Sequence, residues 1–157
     1  MNMDLTAALP LAGRVILVTR AEEQAGRFAA LLKDAGGRVL LVPTIVIEPP
    51  PSWAPLDLAL AHSREYQWAI FTSVNGVHMV RRRIEQSGRG SGALASCRIA
   101  AIGPATARAL ADWGLGAEIV PEEYVAEGLV ERLRPLISAG DRVLLARAAE
   151  TRDVLVR

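Results

Sequence analysis

Two junctions in the sequence place small hydrogen-bonding residues between an apolar run and a predicted helix. In FTSVNGV these residues are Thr72, Ser73 and Asn75, and in IGPATA they are Gly103 and Thr106. Amides at the start of a helix carry partial positive charge and bind anions, and hydroxyls add further donors. Either junction can equally be a plain helix cap. The sequence therefore offers a candidate anion site and leaves the capping interpretation open.

Two further apolar runs end in residues that can bind an anion. Thr19 and Arg20 follow VILV, and Arg147 follows VLLA. A guanidinium binds a carboxylate or a phosphate through two parallel hydrogen bonds. The alternative for each arginine is a surface ion pair with a nearby glutamate, namely Glu22, Glu23 or Glu150.

Several other patterns have a structural explanation and do not indicate a functional site. GRGSGA formally matches a dinucleotide fingerprint, but it leaves a predicted helix and enters a strand, which is the reverse of the required order. The three arginines at residues 81–83 fan around a helix at about 100° per residue and cannot face one ligand. The two histidines are too few for a metal or a catalytic triad, and Cys97 has no evident histidine partner. We predict no metal site.

Composition excludes several classes of protein. The chain has 157 residues, of which 51% are hydrophobic and 4% aromatic, and its formal net charge is +1. These values predict a folded domain and argue against a polyanion-binding surface or base-stacking platform. No apolar run approaches the roughly 20 residues of a membrane helix. With a single cysteine, we expect a cytoplasmic protein that binds neither nucleic acid nor membrane.

The elements that must position these residues alternate between strand and helix along the chain. Strands are predicted at residues 15–19, 39–47, 68–73, 98–103, 117–121 and 142–146. Single helices between strands predict a parallel sheet with right-handed crossovers. Ligands in such sheets bind beyond the carboxyl ends of the strands, where the candidate residues lie.

Local signals predict where several helices begin and end. Thr19 and Glu22 fit a capping pattern at the start of the first helix. Another helix is predicted over about residues 56–64. Pro104 and Gly114 have the proline-first, glycine-last arrangement of a helix between them. A later helix contains Leu129, Leu133 and Ile137 at helical spacing, and Pro135 should kink or divide it.

Two short stretches of the sequence resemble each other. ILVTRAEE near the start resembles VLLARAAE near the end. The first copy continues into a complete helix, a Gly-Gly stop and another strand. The second copy is followed by only about two turns of a helix that is predicted to begin near Glu150. We therefore expect the sequence to be a truncated piece of a longer, pseudo-repeated protein.

The order of six stretches resembles the uroporphyrinogen-III synthase family over nearly all of residues 13–157. They are VTR, AGGRVLLVPTIVIEP, WAIFTSVNGV, RIAAIGPATARALADWG, VPEEYVAEGLVERL and VLLARA. The resemblance implies a three-layer α/β/α fold with a parallel sheet. It also implies a tail at residues 1–12, a strand–helix piece of a first domain at residues 13–37, and a second domain at residues 38–157. That second domain would have five parallel strands in a flavodoxin-like order, with the remainder of the first domain absent.

The resemblance also implies a reaction. The family closes hydroxymethylbilane into uroporphyrinogen III without a cofactor, losing water and inverting the last pyrrole ring. The acetate and propionate groups of the substrate are held in a cleft by amides and hydroxyls. The substrate-binding residues would then be Thr19, Arg20, Thr72, Ser73, Asn75, Gly103, Thr106 and Arg147.

The catalytic acid stays unassigned. The tyrosine favoured for that role in the family lies in the remainder of the first domain, which is absent here. The fragment alone is expected to be inactive, because half of the cleft is missing. Tyr66 precedes a strand on the wrong edge, and Tyr124 belongs to a different motif.

Two other classes of protein share features of this sequence. A receiver-type signalling domain shares the predicted sheet, but it needs an acidic pair, an aspartate and a lysine after its first, third and fifth strands. Counted from the strand at residues 39–47, those strand ends read VPT, IGP and LAR. A generic sugar or nucleotide binder stays open. The first strand, VILVT, is apolar on both faces and is expected to pair with a second copy in a strand-exchanged dimer, or else to be mobile.

Overall fold

The apolar runs form two separate parallel sheets. The computed structural model describes residues 9–148 and Leu155, and the chain divides into two units after Glu48. The first unit contains β1 (Val15–Val18), α1 (Glu22–Asp34) and β2 (Arg38–Leu41). The two strands pair in parallel, with Val15 opposite Arg38. β1 therefore has a partner in its own chain, and the sequence does not form a single six-stranded sheet.

One face of the first sheet is covered by α1, whose Ala25 and Ala29 are buried. The helix ends where Gly36 adopts a φ of +90°, a conformation that favours glycine. Its N-cap is Ala21, without a side-chain cap. The predicted capping pattern from Thr19 is therefore wrong, because the chain uses residues 19–21 to turn from the strand into the helix.

The second unit is built on three parallel strands. They are β3 (Trp68–Phe71), β4 (Arg98–Ala101) and β5 (Val143–Ala146), in the order β4-β3-β5. Four α-helices accompany them: α2 (Ala54–Ala61), α3 (Val74–Gln86), α4 (Pro104–Ala111) and α5 (Ala126–Leu133). Short 3₁₀ turns at Ser63–Glu65 and Ser91–Leu94 complete the connections.

Alternate residues of β3 enter two different hydrophobic cores. Ala69 and Phe71 pack in a core to which α2, α3 and α4 contribute residues such as Leu60, Val77 and Leu110. Trp68 and Ile70 pack in the other core, with Leu129 and Leu133 of α5. Side chains of a strand point alternately to the two faces of a sheet. Helices therefore cover both faces, and the predicted three-layer α/β/α fold is confirmed.

Two predicted strands are shorter than expected. The strand predicted at residues 39–47 ends at Leu41, although the Val42 and Thr44 amides still donate to carbonyls at the end of β1. The strand predicted at residues 117–121 is reduced to one parallel bridge between Ile119 and Ala100. A strand extends only as far as its partner does, and the local sequence does not specify that length.

The division between the two units lies away from the domain boundary predicted at residues 37 and 38, which stays a prediction. β2 pairs with β1 inside the first unit, and the division falls after Glu48. The second unit accordingly has three described strands and one bridge in place of five strands. Three proline residues, at 49–51, follow this division and prevent further ladder hydrogen bonds.

The helix boundaries mostly agree with the predictions. α4 begins at Pro104, and Gly114 has the positive φ of a helix stop. The helix predicted at residues 56–64 is α2, which is shifted towards the N-terminus and ends at Ala61. α5 ends at Leu133, so Pro135 follows the helix and does not kink it. The helix predicted near Glu150 lies outside the described residues.

Apolar side chains on the other face of the first sheet are exposed. Leu17 is 57% exposed, and Val15 and Leu40 are comparably open. We predict that a polypeptide of residues 1–157 self-associates through this face, since burying apolar area is favourable. Light scattering should give a mass above the 16.8 kDa of one chain. Leu17→Asp should lower that mass, and a monomeric wild-type polypeptide would contradict the prediction.

Candidate functional site

The ends of three strands form one continuous edge in the second unit. Phe71 lies opposite Ala101 on one side and Ala146 on the other. The Ile102 amide donates to the Phe71 carbonyl at 3.0 Å, so the alignment continues past β4. The residues that follow these positions are therefore neighbours across the sheet. The structure brings together the turns that carry Thr72, Ser73, Asn75, Gly103, Thr106 and Arg147.

The turn after β3 holds two hydroxyl groups with different hydrogen bonds. Ser73 is the N-cap of α3, and its Oγ accepts from the Gly76 amide at 3.0 Å. Thr72 Oγ1 donates to the Ala146 carbonyl at 3.2 Å. A hydroxyl has one proton, so that of Thr72 is already used. The Ser73 Oγ is an acceptor in its cap, which leaves its proton available to a ligand.

The same turn packs closely against the end of β5. A Cβ atom on Gly76 would lie 3.3 Å from Ser73 Oγ and 3.4 Å from the Ala146 carbonyl oxygen. A larger residue would have to displace the backbone of β5 or the cap itself. Asn75 is half-buried in this first turn of α3. The capping interpretation of Ser73 is therefore correct as geometry, and the cap leaves the hydroxyl proton of Ser73 unused.

The turn after β4 differs from expectation. Gly103 is the N-cap of α4 and is itself buried. A Cβ atom there would lie 3.3 Å from both Cβ and Cγ of Tyr124, so the tyrosine covers the glycine. Thr106 is buried as well, with only 4% of its surface exposed. At this end of the edge Tyr124 is exposed, whereas Gly103 and Thr106 are buried, and the predicted substrate role of these two residues stays a prediction.

Thr19 and Arg20 lie at the corresponding end of β1, in the first unit. Both are exposed, and the Thr19 carbonyl accepts from Thr44 Oγ1 at 3.1 Å. The ion pairs left open for Arg20 and Arg147 involve the side chains of Glu22, Glu23 and Glu150, which lie outside the described part of the chain. The predicted substrate role of these arginines stays a prediction.

Three other arginines are engaged by carboxylates and aromatic rings. Each guanidinium lies over a ring and forms an ion pair: Arg83 with Trp53 and Asp57, Arg98 with Trp68 and Glu118, Arg142 with Tyr66 and Glu65. The hydrogen bond from Arg98 holds the pKa of the Glu118 carboxyl below its usual value. These three arginines therefore have their partners within the fold. The arginine run at residues 81–83 is accordingly no ligand patch, since Arg81 pairs with Glu85 at 2.8 Å.

Among the described residues, the other polar groups form neither a nucleophile nor a metal site. Burial raises the pKa of the Cys97 thiol, whose Sγ lies 3.7 Å from the Ser63 carbonyl. A raised pKa disfavours the thiolate, which is the nucleophilic form. Within the described residues no cluster of histidine, cysteine or acidic side chains could hold a metal ion. None of the described helices is long and apolar enough to cross a membrane.

The fold and this edge define a parallel α/β protein whose candidate site consists of hydrogen-bond donors. A family model described as uroporphyrinogen-III synthase HemD matches residues 26–157. The chain belongs to that family. The match confirms the resemblance drawn from the order of motifs, and the receiver-type alternative is not favoured.

Similar proteins carry consistent names. The uroporphyrinogen-III synthase of Synechococcus elongatus is 43% identical over 141 residues, which cover 90% of this chain and 53% of the relative. A putative uroporphyrinogen-III synthase of Methanothermobacter thermautotrophicus is 34% identical, and this chain covers 54% of its length. The chain thus spans about half the length of these relatives.

Solved structures share the fold. Crystal structures of uroporphyrinogen III synthase from Thermus thermophilus match at 23% identity, with TM-scores of 0.55 for the wild type and 0.63 for a mutant. They cover 90% and 91% of this chain, which in turn covers 54% and 55% of those chains. At this identity the likeness concerns the fold alone.

Proposed function

We propose that this chain forms part of a uroporphyrinogen-III synthase, which closes hydroxymethylbilane into uroporphyrinogen III with loss of water and inversion of the last pyrrole ring. Family membership supports this proposal. The observation on which the proposed site rests is the Ser73 turn. There, a capped helix start and an available hydroxyl proton lie at the carboxyl edge of the sheet. Such donors suit the acetate and propionate groups of the substrate.

The proposed chemistry depends on holding a flexible molecule in one shape. A linear tetrapyrrole must bring its two ends together before the ring can close, and several fixed carboxylates restrict it to compact conformations. Converting free motion into a held geometry can supply a large part of a rate enhancement. In this proposal Ser73, the amides of the first turn of α3, and Arg147 bind carboxylates in the second unit. Thr19 and Arg20 do so in the first unit. The acid that assists the loss of water remains unassigned.

We also propose that the first unit is part of a domain to which other sequence contributes. Its open apolar face, which includes Val15, Leu17 and Leu40, supports this arrangement. So does the fact that the chain spans about half the length of its relatives. The single cysteine is consistent with a cytoplasmic location, which we include in the proposal.

Product analysis tests the proposed function. We expect the whole protein to convert hydroxymethylbilane into the type III isomer. A polypeptide of residues 1–157 alone should leave only the spontaneous type I product, because one face of its first sheet is uncovered and the substrate would not be enclosed. Chromatographic separation of the oxidised isomers is the measurement. A whole protein that yields no type III product would contradict the function, and type III product from the short polypeptide would contradict the need for further sequence.

A further inference from the structure

Tyr124 is held in a fixed position by the turn that precedes α5. The Val125 amide donates to the Glu123 carbonyl at 2.8 Å, which closes a tight turn around the tyrosine. A Cβ atom on Gly128 would lie 2.7 Å from the Glu123 carbonyl oxygen, so the first turn of α5 packs directly on this segment. The backbone at Tyr124 is therefore constrained on both sides.

The tyrosine ring lies on the end of β4. The position of a Cβ atom on Gly103 is 3.3 Å from Tyr124 Cβ and Cγ and 3.4 Å from Cδ1. Gly103 has no side chain to displace the ring, and its backbone is buried. Through the β3–β4 register, the next strand end along this edge carries Thr72 and Ser73. A ligand that contacts the Ser73 turn and extends towards β4 therefore meets Tyr124.

The hydroxyl of Tyr124 is available to such a ligand. The residue is 61% exposed, and within residues 9–148 the structure assigns no hydrogen bond to its phenol oxygen. Tyr66 provides the contrast, because it precedes β3 at the opposite edge of the sheet. Its ring lies under the Arg142 guanidinium at 4.8 Å, and its hydroxyl is 3.5 Å from Arg142 Nη2. Of the two described tyrosines, Tyr66 therefore contacts Arg142 within the fold, whereas Tyr124 is exposed at the candidate site.

We propose that Tyr124 is a substrate-binding residue whose phenol O–H donates a hydrogen bond to a carboxylate of the tetrapyrrole. This inference rests on the proposed function and adds a residue that the sequence motifs did not assign. A phenol O–H is a good hydrogen-bond donor to an anion. With only two side-chain torsions and a ring already packed on Gly103, it loses little conformational freedom on binding.

The test is Tyr124→Phe in the whole protein, with Tyr66→Phe as the matched control. A hydrogen bond to a charged group corresponds to about tenfold to hundredfold in affinity. We expect KM to rise by about tenfold or more in Tyr124→Phe with kcat nearly unchanged, because the carboxylate is bound equally in the ground and transition states. The midpoint of thermal unfolding should not change, since no internal hydrogen bond of the described residues is lost. Tyr66→Phe should leave KM at the wild-type value.

The outcomes separate this inference from the proposed function. A wild-type KM in Tyr124→Phe, with type III product still formed, would overturn the role of Tyr124 and leave the proposed function standing. An equal rise in KM for both variants would also overturn it, because the effect would then not depend on the edge of the sheet. A wild-type protein that forms no type III product would overturn the function on which the inference rests.

Discussion

Ser73→Asp is expected to leave the fold intact and to weaken substrate binding by about a hundredfold. Aspartate caps a helix as well as serine does, so the bond to the Gly76 amide is kept. The new carboxylate, however, stands where a substrate carboxylate would bind. Two like charges about 4 Å apart near a protein surface repel by up to about 4 kcal/mol, and partial exposure reduces this to about 2–3 kcal/mol. Every 1.4 kcal/mol is a factor of ten in affinity.

Ser73→Asn is the matched control for this substitution. Asparagine also caps helix starts and has nearly the same shape as aspartate, but it adds no charge. We expect a rise in KM of less than about tenfold for asparagine, with denaturation midpoints close to wild type for both variants. Steady-state kinetics and thermal unfolding are the measurements. Equal kinetic effects of the two variants would show that no anion binds at the Ser73 turn, which would then be a cap only.

Phe71→Ala is expected to lower the free energy of unfolding of the second unit by about 3–5 kcal/mol. The side chain is 1% exposed and fills the core between β3 and the helices that carry Leu60, Val77 and Leu110. Truncation loses the transfer free energy of the ring and leaves a cavity that packed neighbours fill only in part. Since domains are stable by about 5–15 kcal/mol, this is a large fraction of the total.

The consequence extends to the site because Phe71 directly precedes Thr72 and Ser73. Urea denaturation should show a lower midpoint with a similar slope. Leu58→Ala is a suitable control, since Leu58 in α2 is 65% exposed and its truncation should change the free energy of unfolding by less than about 0.5 kcal/mol. A loss in Phe71→Ala no larger than in the control would mean that the ring does not contribute to the core as the structure indicates.

Elements with strong local signals were predictable from the sequence. The strand WAIF is a continuous apolar run and is buried at every position as β3. Pro104 and Gly114 bound the region of α4, because proline suits a first helical turn and glycine accepts the positive φ at its end. The parallel α/β class followed from the alternation of these elements. Each of these features depends on residues that are close together in the sequence.

Features that depend on distant partners were not predictable. The strand expected at residues 39–47 stops at Leu41, and the one expected at residues 117–121 is a single bridge at Ile119. In both cases the apolar pattern was present, but the length of the pairing is set by the neighbouring strand. The position of the boundary after Glu48 depends on the pairing of β2 with β1, which the sequence pattern does not reveal.

The residues of the candidate site also divide into those whose position was predictable from the sequence and those whose position was not. The Ser73 cap was recognisable as a serine between a strand and a helix, and the structure contains it. The cover of Gly103 by Tyr124 joins residues 21 positions apart in sequence and arises only from packing. A tyrosine just before a predicted helix, after a short strand signal, was the one local hint of its position. Thr106 looked polar and available, but its place on the inner side of α4 buries it.

The alternation of β3 between two cores has a consequence for how this sequence can vary in length over evolution. Trp68 and Ile70 belong to one core, and Ala69 and Phe71 to the other. A side-chain period of two means that gaining or losing one residue within the strand would send each following side chain to the opposite core. A ring the size of Trp68 would then compete for the volume that now holds alanine. Insertions and deletions among homologues should therefore be confined to connecting segments such as GRGSGA, while the four positions of β3 keep a fixed count.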